Sequence, residues 1–149
     1  MNTLPLFNST TLPPLVLVLD DDEDDCFLLT HLVNELFSEQ VSLVCTTNQA
    51  DFLAQVASPE QALALIMLDY HLPLTTAEEL ICYIRAQADL QPVPVVVWSA
   101  QATPQQQQAC LVNGASDYLA KQTGLGNLSA QLHQVFTRYI LPLSGSSYR

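Results

Sequence analysis

The 149-residue chain carries 4 Lys and Arg against 15 Asp and Glu, a formal net charge of −11; its length suits one domain of roughly 150 residues that buries a core without disulfides or a structural metal. Reading a phosphate backbone needs clustered cations, which argues against DNA or RNA as a direct ligand. The longest apolar run, Ala62 to Leu68, falls far short of the roughly 20 residues that span a bilayer.

Residues 1–14 lack a cationic start and a continuous apolar stretch, so they read as a flexible lead-in rather than a secretion signal. Asn8-Ser9-Thr10 matches a glycosylation acceptor in form only, because the expected compartment is the cytoplasm. The domain proper is expected over 15–141, with 142–149 a flexible tail and no output domain after it. Its first apolar run, Leu15 to Leu19, is apolar at every position, as in a parallel strand covered on both faces. A helix is predicted over 24–37, with Leu28, Leu32 and Leu36 at spacing four, Leu29 and Val33 beside them, and Asp24 or Asp25 favouring its N-terminus. Strand 41–46 then leads to a short helix over 48–57, with Asn48 as N-cap and Ser58-Pro59 as its stop. Strand 63–69 feeds a proline-containing loop and a helix over 76–87, whose buried stripe is Leu80, Ile81 and Ile84. Strand 93–98 precedes a glutamine-rich helix over 104–113, with Pro104 in its first turn, Gly114 past its end, and a modest apolar face of Ala109, Cys110 and Val112. The last unit is strand 116–120 and a helix over 125–139, striped by Leu125, Leu128, Leu132, Val135, Phe136 and Tyr139 and ended by Pro142. Five such βα units imply an α/β fold: a doubly wound sandwich around a parallel sheet. Cys26, Cys45, Cys82 and Cys110 are far apart and form no CxxC pair, so they are expected to be small buried thiols in a reducing cytoplasm.

Ligands of such sheets bind outside the carboxyl ends of the strands. The expected fold gathers there Asp20, Asp21 and Asp22 after the first strand, Asp69 after the third, Ser99 after the fourth and Lys121 after the fifth. Carboxylates this close repel by about 4 kcal/mol per pair at ~4 Å and an effective dielectric of 20, so a cation must offset them. Oxygen ligands without a His or Cys cluster select a hard ion, Mg²⁺ or Mn²⁺. A carboxylate beside such an ion, a hydroxyl and an ammonium is equipped to attack a phosphoryl group, and Asp69, on the central strand, is the best nucleophile.

Four stretches carry a resemblance: Leu17 to Asp24, Ile66 to Pro73, Val93 to Ala100 and Gly114 to Lys121. In order and spacing they resemble the receiver domain of two-component response regulators over about residues 15 to 140, in particular receivers like the chemotaxis regulators that stand alone, and the resemblance implies a flavodoxin-like five-stranded parallel sheet in the order 2-1-3-4-5. The resemblance implies that Asp69 is the phosphoacceptor, that Asp21 binds the metal directly and Asp20 through water, and that the backbone carbonyl of His71 is the third protein ligand. It further implies that Ser99 bonds the phosphoryl oxygen and moves with it, that Ala100 leaves room for it, that Lys121 pairs with the phosphoryl group, and that Tyr118 turns inward as the switch is thrown. Asp22 to Asp25 read as loop and helix-start acids.

Three departures from the family stand out. Gln122 replaces the usual proline after the lysine, where a cis bond would cost ~2.5–4 kcal/mol. Thr76-Ala77 replaces an Asp-Gly, which makes a left-handed turn harder. His71 and Gln101 occupy positions that tune dephosphorylation. The function implied is that of a cytoplasmic, bacterial signalling phosphoacceptor, not an enzyme on a separate substrate. Its donor would be a sensor histidine kinase or a histidine phosphotransfer protein, and its output contact with a further protein. With Gln105 to Gln108 and Arg138 on the last two helices, salt-bridged dimerisation has little to build on, so a monomer is expected before phosphorylation. The alternatives are a receiver-like interaction module that is never phosphorylated and a phosphohydrolase on a similar sheet. The latter would need a second acid where His71 stands.

Overall fold

A computed structural model describes residues 12–59 and 61–141. The lead-in before residue 12, the Asn8 triplet, Pro142 and the expected tail lie outside them. The chain alternates β1 (Leu15–Leu19), α1 (Glu23–Phe37), β2 (Ser42–Thr46), α2 (Gln49–Ala57), β3 (Leu63–Asp69), α3 (Ala77–Ala86), a 3₁₀ turn (Ala88–Leu90), β4 (Val95–Ser99), α4 (Pro104–Val112), β5 (Asp117–Ala120) and α5 (Leu125–Tyr139). All strand pairs are parallel and the order is β2-β1-β3-β4-β5. This is the doubly wound sheet expected from the apolar runs, in the flavodoxin-like order that the resemblance implies.

The two-residue period of a strand divides those runs between two cores. Val16 and Val18 of β1, Leu65 and Met67 of β3, and Val96 and Trp98 of β4 pack with α1 and α5. Leu17 and Leu19, Ile66 and Leu68, and Val95 and Val97 face the other way, against Phe52 of α2, Leu80, Ile81 and Ile84 of α3, and Cys110 of α4. Most helix starts follow the sequence signals: Asn48 accepts from the Asp51 N–H, Thr76 from Glu79 and Thr103 from Gln106. Helix α1 begins one residue earlier than expected, because Asp22 is its cap and accepts from the N–H groups of Asp24 and Asp25.

Several expectations need correction. Leu36 is half exposed; in the last turn of α1 it is Phe37 that reaches the core, edge-on against Phe136. Val112 and Leu125 are exposed as well, and Cys110 is the buried residue of α4. Cys26 and Cys45 are joined in a disulfide, against the expectation of four thiols. The packing of the first turn of α1 against the end of β2 brings them together across 19 residues of sequence, a proximity that spacing cannot reveal. Cys110 is the buried thiol foreseen, whereas Cys82 is exposed. The Lys121–Gln122 bond is trans, like every other described peptide bond.

Arg85, unremarked in the sequence, ties the far end together. Its guanidinium donates to the carbonyls of Gly114, Leu90, Gln91 and Val93, so one α3 side chain holds both the entry to β4 and the turn before β5.

Candidate functional site

At the carboxyl edge, β1 runs into Asp20, whose side chain is fully buried, and the chain then turns outward through exposed Asp21 to the Asp22 cap. Asp20 is held inward by its own N–H, which donates to the Thr46 carbonyl at 3.0 Å, and by the Asp22 N–H, which donates to its Oδ1 at 2.9 Å. Asp69 ends β3, 7% exposed, and Ser99 ends β4, fully buried. The Ser99 hydroxyl donates to the Gln101 carbonyl at 2.7 Å and accepts from the Gln101 N–H at 3.2 Å, so it is engaged by its own loop. The Lys121 N–H donates to the Ser99 carbonyl at 2.8 Å, which locks the start of the β5 loop to the end of β4.

The Lys121 ammonium sits among three carboxylates: Asp25 Oδ2 at 2.8 Å, Asp20 Oδ2 at 3.0 Å and Asp69 Oδ1 at 3.5 Å. It also lies 4.8 Å from the Trp98 ring centroid. Asp20, Asp21 and Asp69 each offer an oxygen within 4.8 Å of the other two. Burial pushes Asp20 up to about 7, and Asp69 adds to the shift; the Asp22 N–H and Lys121 oppose it. Burial raises Asp69 too, against the pull of Lys121. Burial works against the charge on Lys121, but the carboxylates of Asp25 and Asp20 outweigh it and hold the ammonium above its ordinary range. The site is therefore short of positive charge.

Its donor set fits a hard cation. Asp20 Oδ2 is buried and accepts no aligned hydrogen bond, although Lys121 is close, so a lone pair is left for another electropositive partner. Asp21 supplies an exposed carboxylate beside it and Asp69 a buried one. All three are oxygen donors, the type that Mg²⁺ and Mn²⁺ take.

The fold thus brings Asp20, Asp21, Asp69 and Lys121 into one cluster, while Ser99 lies at the same sheet edge and meets Lys121 through its backbone carbonyl. His71 follows in the loop, bridged to Thr76, and its N–H lies toward the Asp69 carboxylate. The Tyr118 ring is already buried, with its hydroxyl donating to the Gln101 carbonyl at 3.4 Å and toward Gln106 Oε1 at 3.3 Å. One site residue and one contact escape the sequence: Asp25, read as a helix-start acid, is the closest carboxylate to Lys121, and Trp98, which precedes Ser99 on β4, underlies the ammonium. The helical register after an Asp22 cap could have pointed to Asp25; Trp98 shows its role only through the strand register that pairs it with Asp69.

The family model of the response regulator receiver domain matches residues 16–133. The two-component response regulator ORR1 of Oryza sativa subsp. japonica is 39% identical over 62 residues, 42% of this chain and 27% of the rice protein. ORR3 of Oryza sativa subsp. indica is 26% identical over 125 residues, 84% of this chain and 92% of its own length. The phosphorylated cyanobacterial phytochrome response regulator RcpA superposes with a TM-score of 0.76 at 17% identity, covering 86% of this chain and 94% of RcpA. The chemotaxis response regulator CheY4 of Vibrio cholerae gives 0.70 at 20% identity, covering 83% and 98%. At these identities the structures establish the fold. The sequence relatives named are plant proteins, which lends no support to the expected bacterial source.

Proposed function

Since this chain belongs to the response regulator receiver domain family, in which phosphorylation on an aspartate is typical, we propose that Asp69 accepts a phosphoryl group from a phosphohistidine. The donor is a sensor histidine kinase or a histidine phosphotransfer protein. An Asp69 oxygen attacks phosphorus as the P–N bond breaks, and the released imidazole nitrogen takes up a proton. The observation that carries this is a buried Asp69 at the end of β3 with an ammonium at 3.5 Å, beside a neighbouring strand that ends in Ser99.

Asp20, Asp21, Asp69 and the His71 carbonyl would hold Mg²⁺ or Mn²⁺, which supplies charge to the phosphoryl oxygens. Lys121 balances the remaining charge. Ser99 exchanges the Gln101 carbonyl for a phosphoryl oxygen, and the shift of the Gln101 loop is the signal. Because Tyr118 is already buried and bonded to that carbonyl, it follows the loop rather than entering an empty slot. The chain catalyses only its own phosphorylation and dephosphorylation, and its output is contact with another protein. A monomer before phosphorylation is part of the same proposal: Arg138 leans toward its own Asp117 at 3.9 Å, and α4 offers glutamines. Among the described residues no helix is long and apolar enough to cross a membrane, and the Cys26–Cys45 disulfide runs against the expected reducing cytoplasm. Intact mass after incubation with Mg²⁺ and acetyl phosphate tests the reading. Wild type gains one phosphoryl group and Asp69→Asn none; a wild type that gains nothing turns the assignment toward an interaction module without phosphorylation.

A further inference from the structure

Six consecutive acids, Asp20 to Asp25, open the site, and the last of them has no part in the Asp20, Asp21 and Asp69 group. Asp25 nevertheless makes the shortest contact with Lys121. Of the three carboxylates around that ammonium, Asp25 accepts the shortest and best-aligned hydrogen bond, at 2.8 Å; Asp20 at 3.0 Å and Asp69 at 3.5 Å lie in less aligned contact. Asp25 is also well anchored. Its N–H donates to the Asp22 side chain, and the next residue, Cys26, is bonded to Cys45 on β2. The carboxylate therefore stands on a fixed turn at the rim, and Lys121 reaches across to it from the far side of the site.

This arrangement has a consequence for phosphorylation. A phosphoryl group brings about −1.5 to −2 charges and three acceptor oxygens to Asp69, on the side where the ammonium now lies farthest from its carboxylate. An ammonium has three donors on one nitrogen, but the 2.8 Å bond to Asp25 directs one of them away from Asp69. The geometry points to Asp25 as a positioning residue that holds Lys121 back in the resting protein and competes with the phosphoryl group for it. This rests on the reading of Asp69 as acceptor. Asp25 thereby sets how much of the phosphoryl group's attraction for Lys121 is spent on breaking an existing bond. Trp98 reports the movement, because the ammonium lies over its ring and cannot change partner without changing that contact.

The test is a set of four proteins: wild type, Asp25→Asn, Lys121→Met and the double variant. Trp98 emission is first compared without any phosphoryl mimic. Asp25→Asn is expected to change it, and the same substitution in the Lys121→Met background to leave it unchanged. Equal effects in the two backgrounds, or none in either, overturn the resting contact whatever Asp69 does. Beryllium fluoride is then titrated at saturating Mg²⁺, with occupancy read by fluorine NMR. Asp25→Asn is expected to bind it about two- to fivefold more tightly, the scale of a partly exposed ion pair released. The gain disappears without Lys121, and Asp25→Glu returns binding toward wild type. Unchanged or weaker binding in Asp25→Asn, or an equal gain with and without Lys121, overturns the competition. No Mg²⁺-dependent binding in any of the four proteins removes the acceptor reading, and the competition with it.

Discussion

Breaking the Cys26–Cys45 disulfide should cost the protein a measurable share of its stability. The bond closes a loop of 19 residues in sequence, and in the chain-entropy picture a loop of that size restricts the unfolded chain by about 3 kcal/mol at 25 °C. Nothing else in the described structure ties the first turn of α1 to the end of β2 covalently. The hydrogen bonds that support it are local, from the N–H groups of Asp24 and Asp25 to Asp22, and these survive reduction. A domain of this size loses roughly 3–5 °C of melting temperature per kcal/mol, so the reduced protein should melt about 10 °C lower.

Denaturant unfolding of oxidised protein, reduced protein and a Cys26→Ala, Cys45→Ala double variant separates the cross-link from the packing of the sulfurs. The reduced protein and the double variant should both show a lower midpoint. Thiol titration of the unfolded chain without reductant should find Cys82 and Cys110 alone. Four reactive thiols there, or equal midpoints with and without reductant, would refute the reasoning. Either result would return Cys26 and Cys45 to the reduced thiols that a cytoplasmic protein is expected to carry.

Four further outcomes follow from the site and its frame. Burial pushes Asp20 up to about 7 against an ordinary 3.8, so between these values the metal-free folded state binds a proton that the unfolded chain has lost; the stability this contributes is full below about pH 4 and is lost as pH rises through about 7. Asp20→Asn should flatten that slope in chelator-treated samples, and an unchanged slope would contradict the assignment. Asp21→Ala should remove most Mg²⁺ binding in calorimetric titration, since it withdraws the exposed ligand of the group. Gly114→Ala should destabilise by roughly 1–3 kcal/mol in urea melts, because Gly114 has φ +119° and a Cβ there would lie 2.7 Å from Arg85 Cγ. Ser99→Ala should still bind beryllium fluoride but leave the Gln101 loop where it is, as paired crystal structures would show.

How much of this was legible in the sequence depends on the range of the interaction responsible. The strands and both cores follow from local periodicity, since β1 is apolar on both faces and its even and odd positions go to opposite sides, whereas the strand order follows from the resemblance of the motifs to receivers. The residues at strand ends were legible for the same reason, since a parallel sheet delivers every carboxyl end to one edge. The disulfide and the fan of hydrogen bonds from Arg85 were not, because each depends on how a helix packs against a distant segment.

The acid run shows where the boundary falls. As a composition, Asp20 to Asp25 is one block of like charge, and nothing local distinguishes its members. In the fold the block crosses from a strand period to a helix period within three residues, and that change of period sorts the charges. The strand's alternation carries Asp20 into the interior, on the side of Val16 and Val18. The loop leaves Asp21 at the surface, beside two other carboxylates. Asp22 spends its charge on the helix start, and a cap there returns the chain to the site at Asp25. Placing the cap one residue later would have turned Asp25 away and left Lys121 to Asp20 and Asp69. The position of a single N-cap therefore decides whether the lysine has a resting partner away from Asp69, and it is the Asp25 substitution, more than any change at Asp69, that measures what that partner does.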